Sequence, residues 1–286
     1  MGNKVAIFLL KLLSRLPLSV LYLLSYFLYF IFYNLLGYRK KTIVSNLKIA
    51  FPQKSEIEIN ELTKKYYQYL SHLVVEIVKG FTISADELTK RIKTDNSEIY
   101  DKITLEKTSA IVVMGHNGNW EWVCRQAPLY IKTPICVAYK PLSNPYFDDL
   151  FNKARTEFGT MVEPMAKIGK FIIENKNKSY LIILTADQSP SNPETGIWAN
   201  FFNRETSFLS GLEKLSLKYN LPIIFHEVKL TRKGYYHCKV HPPILAKDLK
   251  ENQSITQYYA DMLEQKIMEQ PEIWLWSHKR WKHKKQ

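Results

Sequence analysis

The chain has 286 residues, 46% of them hydrophobic, and a formal net charge of +13. That length suits one large domain, or one domain plus an anchor, and it buries a full core without covalent staples. Cys124, Cys136 and Cys238 form no CxxC pair and are too scattered for a disulfide framework or a zinc site, so a reducing compartment is the simplest reading, while the basic excess points to nucleic acid, anionic membrane or acidic protein without choosing among them.

The first element is apolar. Residues 18–37, "LSVLYLLSYFLYFIFYNLLG", carry no charge, and a helix of that length spans about 30 Å, the thickness of a bilayer core. Tyr22, Tyr26, Tyr29 and Tyr33 make it more amphipathic than a plain anchor. The run is too long for a cleaved signal peptide and no A-x-A site follows it. A spanning helix, an interfacial helix and a helix buried in the protein all stay open. Arg39, Lys40 and Lys41 favour a cytoplasmic C-terminal side, against which Lys4, Lys11 and Arg15 make the other flank basic too. We therefore divide the chain into a membrane segment, 1–41, and a domain, 42–286.

Residues 42–80 read as helical, interrupted at Pro52 and stopped at Gly80, and a short polar helix follows over 84–92. After residue 105 the pattern changes. "SAIVVM" (109–114), "PICVAY" (134–139), "YLIILTA" (180–186) and "LPIIFHEV" (221–228) are short Ile- and Val-rich runs that read as buried strands. Helical stretches lie between them, at about 119–130, 145–158, 166–176 and 207–219. "GYYHCKVHPPI" (234–244) has the look of an antiparallel edge strand, and a last helix covers 253–269. The alternation predicts an α/β fold with a mixed, mostly parallel sheet flanked by helices. Ligands of such sheets lie beyond the carboxyl ends of the strands, which is where His116 falls.

"VVMGHNGNWEW" (112–122) puts Glu121 five residues after His116. On a continuous helix the two would point about 140° apart. They form a pair only if His116 is on a loop and Glu121 in the first turn of a helix, an arrangement that Gly115, Gly118 and a capping Asn119 would allow. A carboxylate-held His has one ring nitrogen free as a base. No Ser or Cys nucleophile adjoins it, so direct transfer to a substrate hydroxyl is the chemistry that suits it. A polar loop with a solvated His and a capping Glu is the other reading of the same spacing.

"GHNGNWEW" resembles the H-x4-D/E motif of the lysophospholipid acyltransferase superfamily, in the Glu variant of the lipid A biosynthesis (late, secondary) acyltransferase family. "YRKKTIVSNLKIAFP" (38–52), "YKPLSNPYFDDL" (139–150), "TADQSP" (185–190), "FFNRETSFLSG" (201–211) and "PEIWLWSHKRWK" (271–282) are similar to further blocks of that family, in the same order. Lys140 and Lys279 stand where Arg is usual; Lys retains the charge but loses the bidentate fork.

The resemblance implies a glycerolipid-acyltransferase-like α/β/α fold and O-acyl transfer from an acyl carrier protein or coenzyme A thioester to a hydroxyl of a lipid A precursor, at the cytoplasmic face of the inner membrane. It implies no cofactor and no metal. His116 is then the base and Glu121 its orienter. Arg155 is the candidate for stabilising the oxyanion or binding phosphate, with Asn119 second. Lys140, Asp187, Gln188 and Arg204 are candidates for substrate contact or support. Asp187 reads alternatively as an Asx-turn closing a strand, and Arg204 as a surface arginine. The close, "WLWSHKRWKHKK", suits an interfacial or carrier-steering role, or a solvated tail, and no nucleic-acid motif accompanies it. Two rivals stand: an acyltransferase for a glycerolipid, aminolipid or glycolipid, and a non-enzymatic membrane or nucleic-acid-binding protein in which His116→Ala is silent.

Overall fold

A computed structural model describes residues 2–285. Helices α1 (Gly2–Ser14) and α2 (Leu18–Tyr29) are separated at Pro17, which has no N–H to continue a helix, and α2 runs on as a π-helical stretch, Phe30–Leu35. Leu18–Leu35 is long and apolar enough to cross a membrane. One side of it is nevertheless docked: Leu18, Leu21 and Ser25 are buried, while Leu23, Phe27, Phe30 and Leu35 are exposed. The docking partner is α4 (Glu56–Gly80), which follows α3 (Lys40–Ala50) and starts at a Ser55–Glu58 capping box.

Next come α5 (Ala85–Arg91), β1 (Ile92–Asp95), α6 (Glu98–Leu105), β2 (Ala110–Met114), α7 (Trp120–Gln126) and β3 (Ile135–Tyr139). The middle of the chain holds α8 (Pro145–Thr156), β4 (Met161–Pro164), α9 (Ile168–Glu174) and β5 (Leu181–Thr185). The rest is β6 (Gly196–Asn200), β7 (Glu205–Leu209), α10 (Gly211–Tyr219), β8 (Ile223–Arg232), β9 (Tyr235–Val240) and α11 (Ile255–Glu269).

Seven strands form one sheet in the order β1-β9-β8-β2-β5-β3-β4, parallel throughout except for the β8–β9 pair. β2 is central and buried on both faces. Its side chains alternate, as a strand requires: Ile111 and Val113 enter one core with Leu212 and Leu263, and Val112 and Met114 enter another with Tyr100 and Trp122. The sheet is therefore helix-covered on both sides.

Three local expectations need correction. β9 is antiparallel to β8 but is not the edge, because β1 pairs parallel with its outer side; β1, "IKTD", buries only Ile92 and so lacks a strand-like apolar pattern. The stretch 207–219 is not one helix: β7 runs to Leu209 and pairs antiparallel with β6, and α10 begins at Gly211. β4 extends the opposite edge and was hidden because it is short, ends in Pro and buries none of its side chains fully, "MVEP". Leu18 and Leu21 of α2 share a core with Trp122 and Tyr236.

Candidate active site

β2 ends at Met114, His116 lies on the following loop, and α7 starts at Trp120 with Asn119 as its cap. The helix break that the five-residue spacing required is present. Two glycines shape the loop. A Cβ on Gly115 would meet Leu263 Cδ1 at 2.5 Å. Gly118 has φ +60°, and a Cβ there would meet Val228 Cγ1 at 2.7 Å.

The loop after β5 comes to the same place because β2 and β5 are adjacent and parallel, with Met114 in register with Thr185. Both strands therefore release their chains at one sheet edge. Asp187, two residues past β5, accepts three hydrogen bonds there: from the His116 backbone N–H to Oδ2 at 2.8 Å, from His116 Nδ1 to Oδ1 at 2.5 Å, and from Trp274 Nε1 to Oδ2 at 2.7 Å. It is 2% exposed. Burial pushes its pKa up, but the charge of His116 and these hydrogen bonds outweigh burial and hold it at about 2. An ionised acceptor at Nδ1 puts the proton on that nitrogen and makes Nε2 the accepting nitrogen. Trp120 packs edge-on against the ring at 4.7 Å, and Gln188 Nε2 is 3.4 Å from His116 Nε2.

Glu121 is in the first turn of α7, as its spacing suggested, but its carboxylate meets Arg155 of α8, not the imidazole. Arg155 Nε donates to Oε2 at 2.9 Å and Nη2 to Oε1 at 2.5 Å, a bidentate pair. Arg155 also lies over the Tyr139 and Phe151 rings. Although burial opposes its charge, the pair with Glu121 keeps its pKa above the usual guanidinium value.

Asn119 is occupied at both ends of its amide. Oδ1 caps α7 by accepting from Trp122 N–H at 3.0 Å, and Nδ2 donates to Glu76 at 3.1 Å, so the fully buried side chain ties α7 to α4. Lys140 is exposed just past β3, and Arg204 is exposed in the β6–β7 turn, where it lines a cleft with α3.

Several residues carry the site without having been singled out. Glu76, buried in α4, accepts from Tyr22 and Tyr236 hydroxyls at 2.8 and 2.6 Å as well as from Asn119. Its signal was a lone carboxylate inside "LVVEIV" on a helix otherwise apolar there. The C-terminal segment is not a solvated or interfacial tail over its first part: Trp274, Trp276 and Arg280 are buried, and only Lys282, Lys284 and Lys285 beyond them are exposed. Arg280 donates to Ser207 O at 2.7 Å and lies 4.0 Å over the Phe208 ring, and burial lowers its pKa to about 10. His278 Nε2 accepts from Ser189 N–H at 3.0 Å beside the Asp187–Gln188 turn. Among the described residues no three His, Cys, Asp or Glu side chains converge as a metal-ligand set.

The buried Asp187 carboxylate thus fixes His116 at the sheet edge, in a domain on which an apolar N-terminal helix is docked. None of the curated proteins compared with the chain matches it. The family model described as bacterial lipid A biosynthesis acyltransferase matches residues 2–283, which is nearly the whole sequence. The chain therefore belongs to the bacterial lipid A biosynthesis acyltransferase family.

Proposed function

We propose that this acyltransferase moves a fatty acyl chain from an acyl carrier protein or coenzyme A thioester to a hydroxyl of a lipid A precursor, directly and with His116 as general base. The observation that carries the reading is the His116–Asp187 contact at 2.5 Å, which leaves Nε2 as the acceptor. Nε2 takes the proton of the acceptor hydroxyl while its oxygen bonds to the thioester carbonyl carbon. The tetrahedral intermediate collapses, the carbon–sulfur bond breaks, and the leaving thiolate recovers the proton from the imidazolium. No acyl-enzyme forms.

In this reading Asp187 orients the ring and stabilises the imidazolium, the part first assigned to Glu121. Glu121 instead anchors Arg155, and the pair fixes α7 against α8 beside the reacting atoms. Gln188, at 3.4 Å from Nε2, is the side-chain donor best situated to stabilise the oxyanion, a contribution of about 3 kcal/mol for one such donor. The apolar α2 segment keeps the enzyme at the membrane that holds its acceptor. Arg39–Lys41, just past that segment, favour a cytoplasmic catalytic face on the inner membrane, the side that carries the thioester donors.

The test is the lipid A mass spectrum of cells with and without the gene. Loss of one acyl chain is expected. An unchanged acyl count together with an altered glycerolipid, aminolipid or glycolipid would move the acceptor to that lipid. Purified His116→Ala protein that still transfers at the wild-type rate would overturn the mechanism.

A further inference from the structure

An open cleft of about 990 Å³ is lined by Arg39, Lys40, Lys41, Lys48 and Arg204 and by no acidic side chain. We propose that this cleft binds a phosphate group on the headgroup of the acceptor lipid; the inference rests on the acceptor being a membrane lipid of the class proposed above.

The cleft begins where the apolar helix ends. Leu35 and Leu36 are exposed at its edge, 69% and 67%, so a ligand with acyl chains against the N-terminal helix would present its headgroup to these cations. The remaining lining residues are apolar, small or hydroxylic, Val44, Ile49 and Thr42 among them, which suits an amphiphile.

The two walls of the cleft are fixed independently of any ligand. Arg204 closes a tight turn, in which Phe201 N–H donates to Arg204 O at 2.9 Å and Arg204 N–H to Phe201 O at 3.3 Å. Phe202 of that turn packs edge-on against Phe51 at the end of α3, with ring centres 5.9 Å apart. The opposite wall, α3, is bolted to the C-terminal segment: Arg39 donates to Ser277 O at 2.9 Å, and Asn46 donates to Trp276 O at 2.8 Å and to His278 O at 2.7 Å. That same segment supplies Trp274 to Asp187 and His278 to Ser189. The headgroup cleft and the catalytic histidine thus share one rigid wall, which gives a bound phosphate a fixed relation to the base.

The cations are not equally free. Lys48 pairs with Glu56 at 2.6 Å, and Lys40 lies over the Tyr33 ring at 4.7 Å. Arg39 is held by the Ser277 carbonyl, whereas the Lys41 and Arg204 side chains make no ion pair, hydrogen bond or ring contact among the described residues, so they are the two most available to an anion.

The experiment compares purified wild type with the Lys41→Gln/Arg204→Gln double variant on two acceptors, a hydroxyacylated glucosamine disaccharide carrying its phosphates and the same lipid after phosphatase treatment. Both side chains are exposed, so the variant is expected to fold. For the phosphorylated acceptor KM should rise about tenfold with kcat within about twofold of wild type, while KM for the dephosphorylated acceptor stays unchanged. An equal change for both acceptors, or none, overturns the proposal. A rise in donor KM instead assigns the cleft to the carrier protein and also overturns it. Loss of sedimentation with phosphatidylglycerol vesicles, at unchanged KM, assigns it to bulk anionic lipid with the same consequence. Wild-type turnover without discrimination sinks the cleft alone, whereas no wild-type turnover on either acceptor sinks the acceptor reading and the cleft with it.

Discussion

His116 and Asp187 are 71 positions apart in the chain and 2.5 Å apart at the sheet edge, where Asp187 also takes the backbone N–H of the same histidine. One carboxylate thus fixes both the loop and the ring. Asp187→Asn leaves the shape but removes the charge that holds the proton on Nδ1. The expected result is a kcat lower by about a thousandfold or more at little change in KM, read in a single-turnover transfer assay. A larger effect of Glu121→Gln on the pH dependence of kcat than of Asp187→Asn would return the orienting role to Glu121.

The Glu121–Arg155 pair offers a second measurement. Both side chains are mostly buried, 14% and 16% exposed, and each is the other's bidentate partner. Glu121→Gln or Arg155→Gln alone leaves an uncompensated charge and is expected to cost about 2–4 kcal/mol of stability, reduced from the fully buried case by residual solvent. The double variant is expected to cost less than the sum. Denaturant titration of the four proteins in one detergent gives the coupling directly. An additive double variant would show that the pair is not coupled.

Glu76 joins α2, α4, α7 and β9 through Tyr22, Asn119 and Tyr236. Burial raises its pKa, yet all three partners donate to it. Glu76→Leu strands these three donors and is expected to lower stability by about 2–4 kcal/mol, whereas Tyr22→Phe removes one and costs about 1 kcal/mol. Thermal unfolding monitored by near-UV circular dichroism separates the two. Equal losses would mean that Glu76 interacts only with the N-terminal helix.

Acid should weaken the fold by charging buried histidines before Asp187 protonates. Burial holds His72, His226 and His278 neutral, each with a pKa of about 4. A folded pKa below the unfolded value near 6.5 means that the stability is complete above that pH and falls as pH drops from about 6.5 towards 4. Asp187, held at about 2, adds its own loss only below about 3.8. Denaturation midpoints are thus expected to decline between pH 7 and pH 5. His226→Phe should be less stable at pH 7, since Tyr100 loses its 3.1 Å partner, but should decline less steeply. A wild-type midpoint constant over that interval would refute the buried-histidine account.

Much of the fold was legible because it is local. The Ile- and Val-rich runs from 109 to 228 gave four of the parallel strands, and the Asn119 cap together with Gly115 and Gly118 marked a helix start after His116. β1 and β4 were not legible, since an edge strand buries few side chains and its pairing comes from a distant neighbour. The C-terminal "WLWSHKRW" misled for a related reason. Trp and Arg look alike at an interface and in a core, and only the Phe201–Phe208 pocket that receives Arg280 tells them apart.

The sequence by itself determined a basic α/β protein with an apolar N-terminal helix, a histidine on the loop past its central strand, and ordered blocks resembling a lipid A acyltransferase. The tertiary structure alone decided which carboxylate that histidine meets. Glu121 is near in sequence, but the first turn of α7 points it at α8 and Arg155 takes both its oxygens. Asp187 is far in sequence, but β5 runs parallel beside β2 in a register that ends both strands together. Strand order is set by the global packing of the sheet, and no local spacing encodes it.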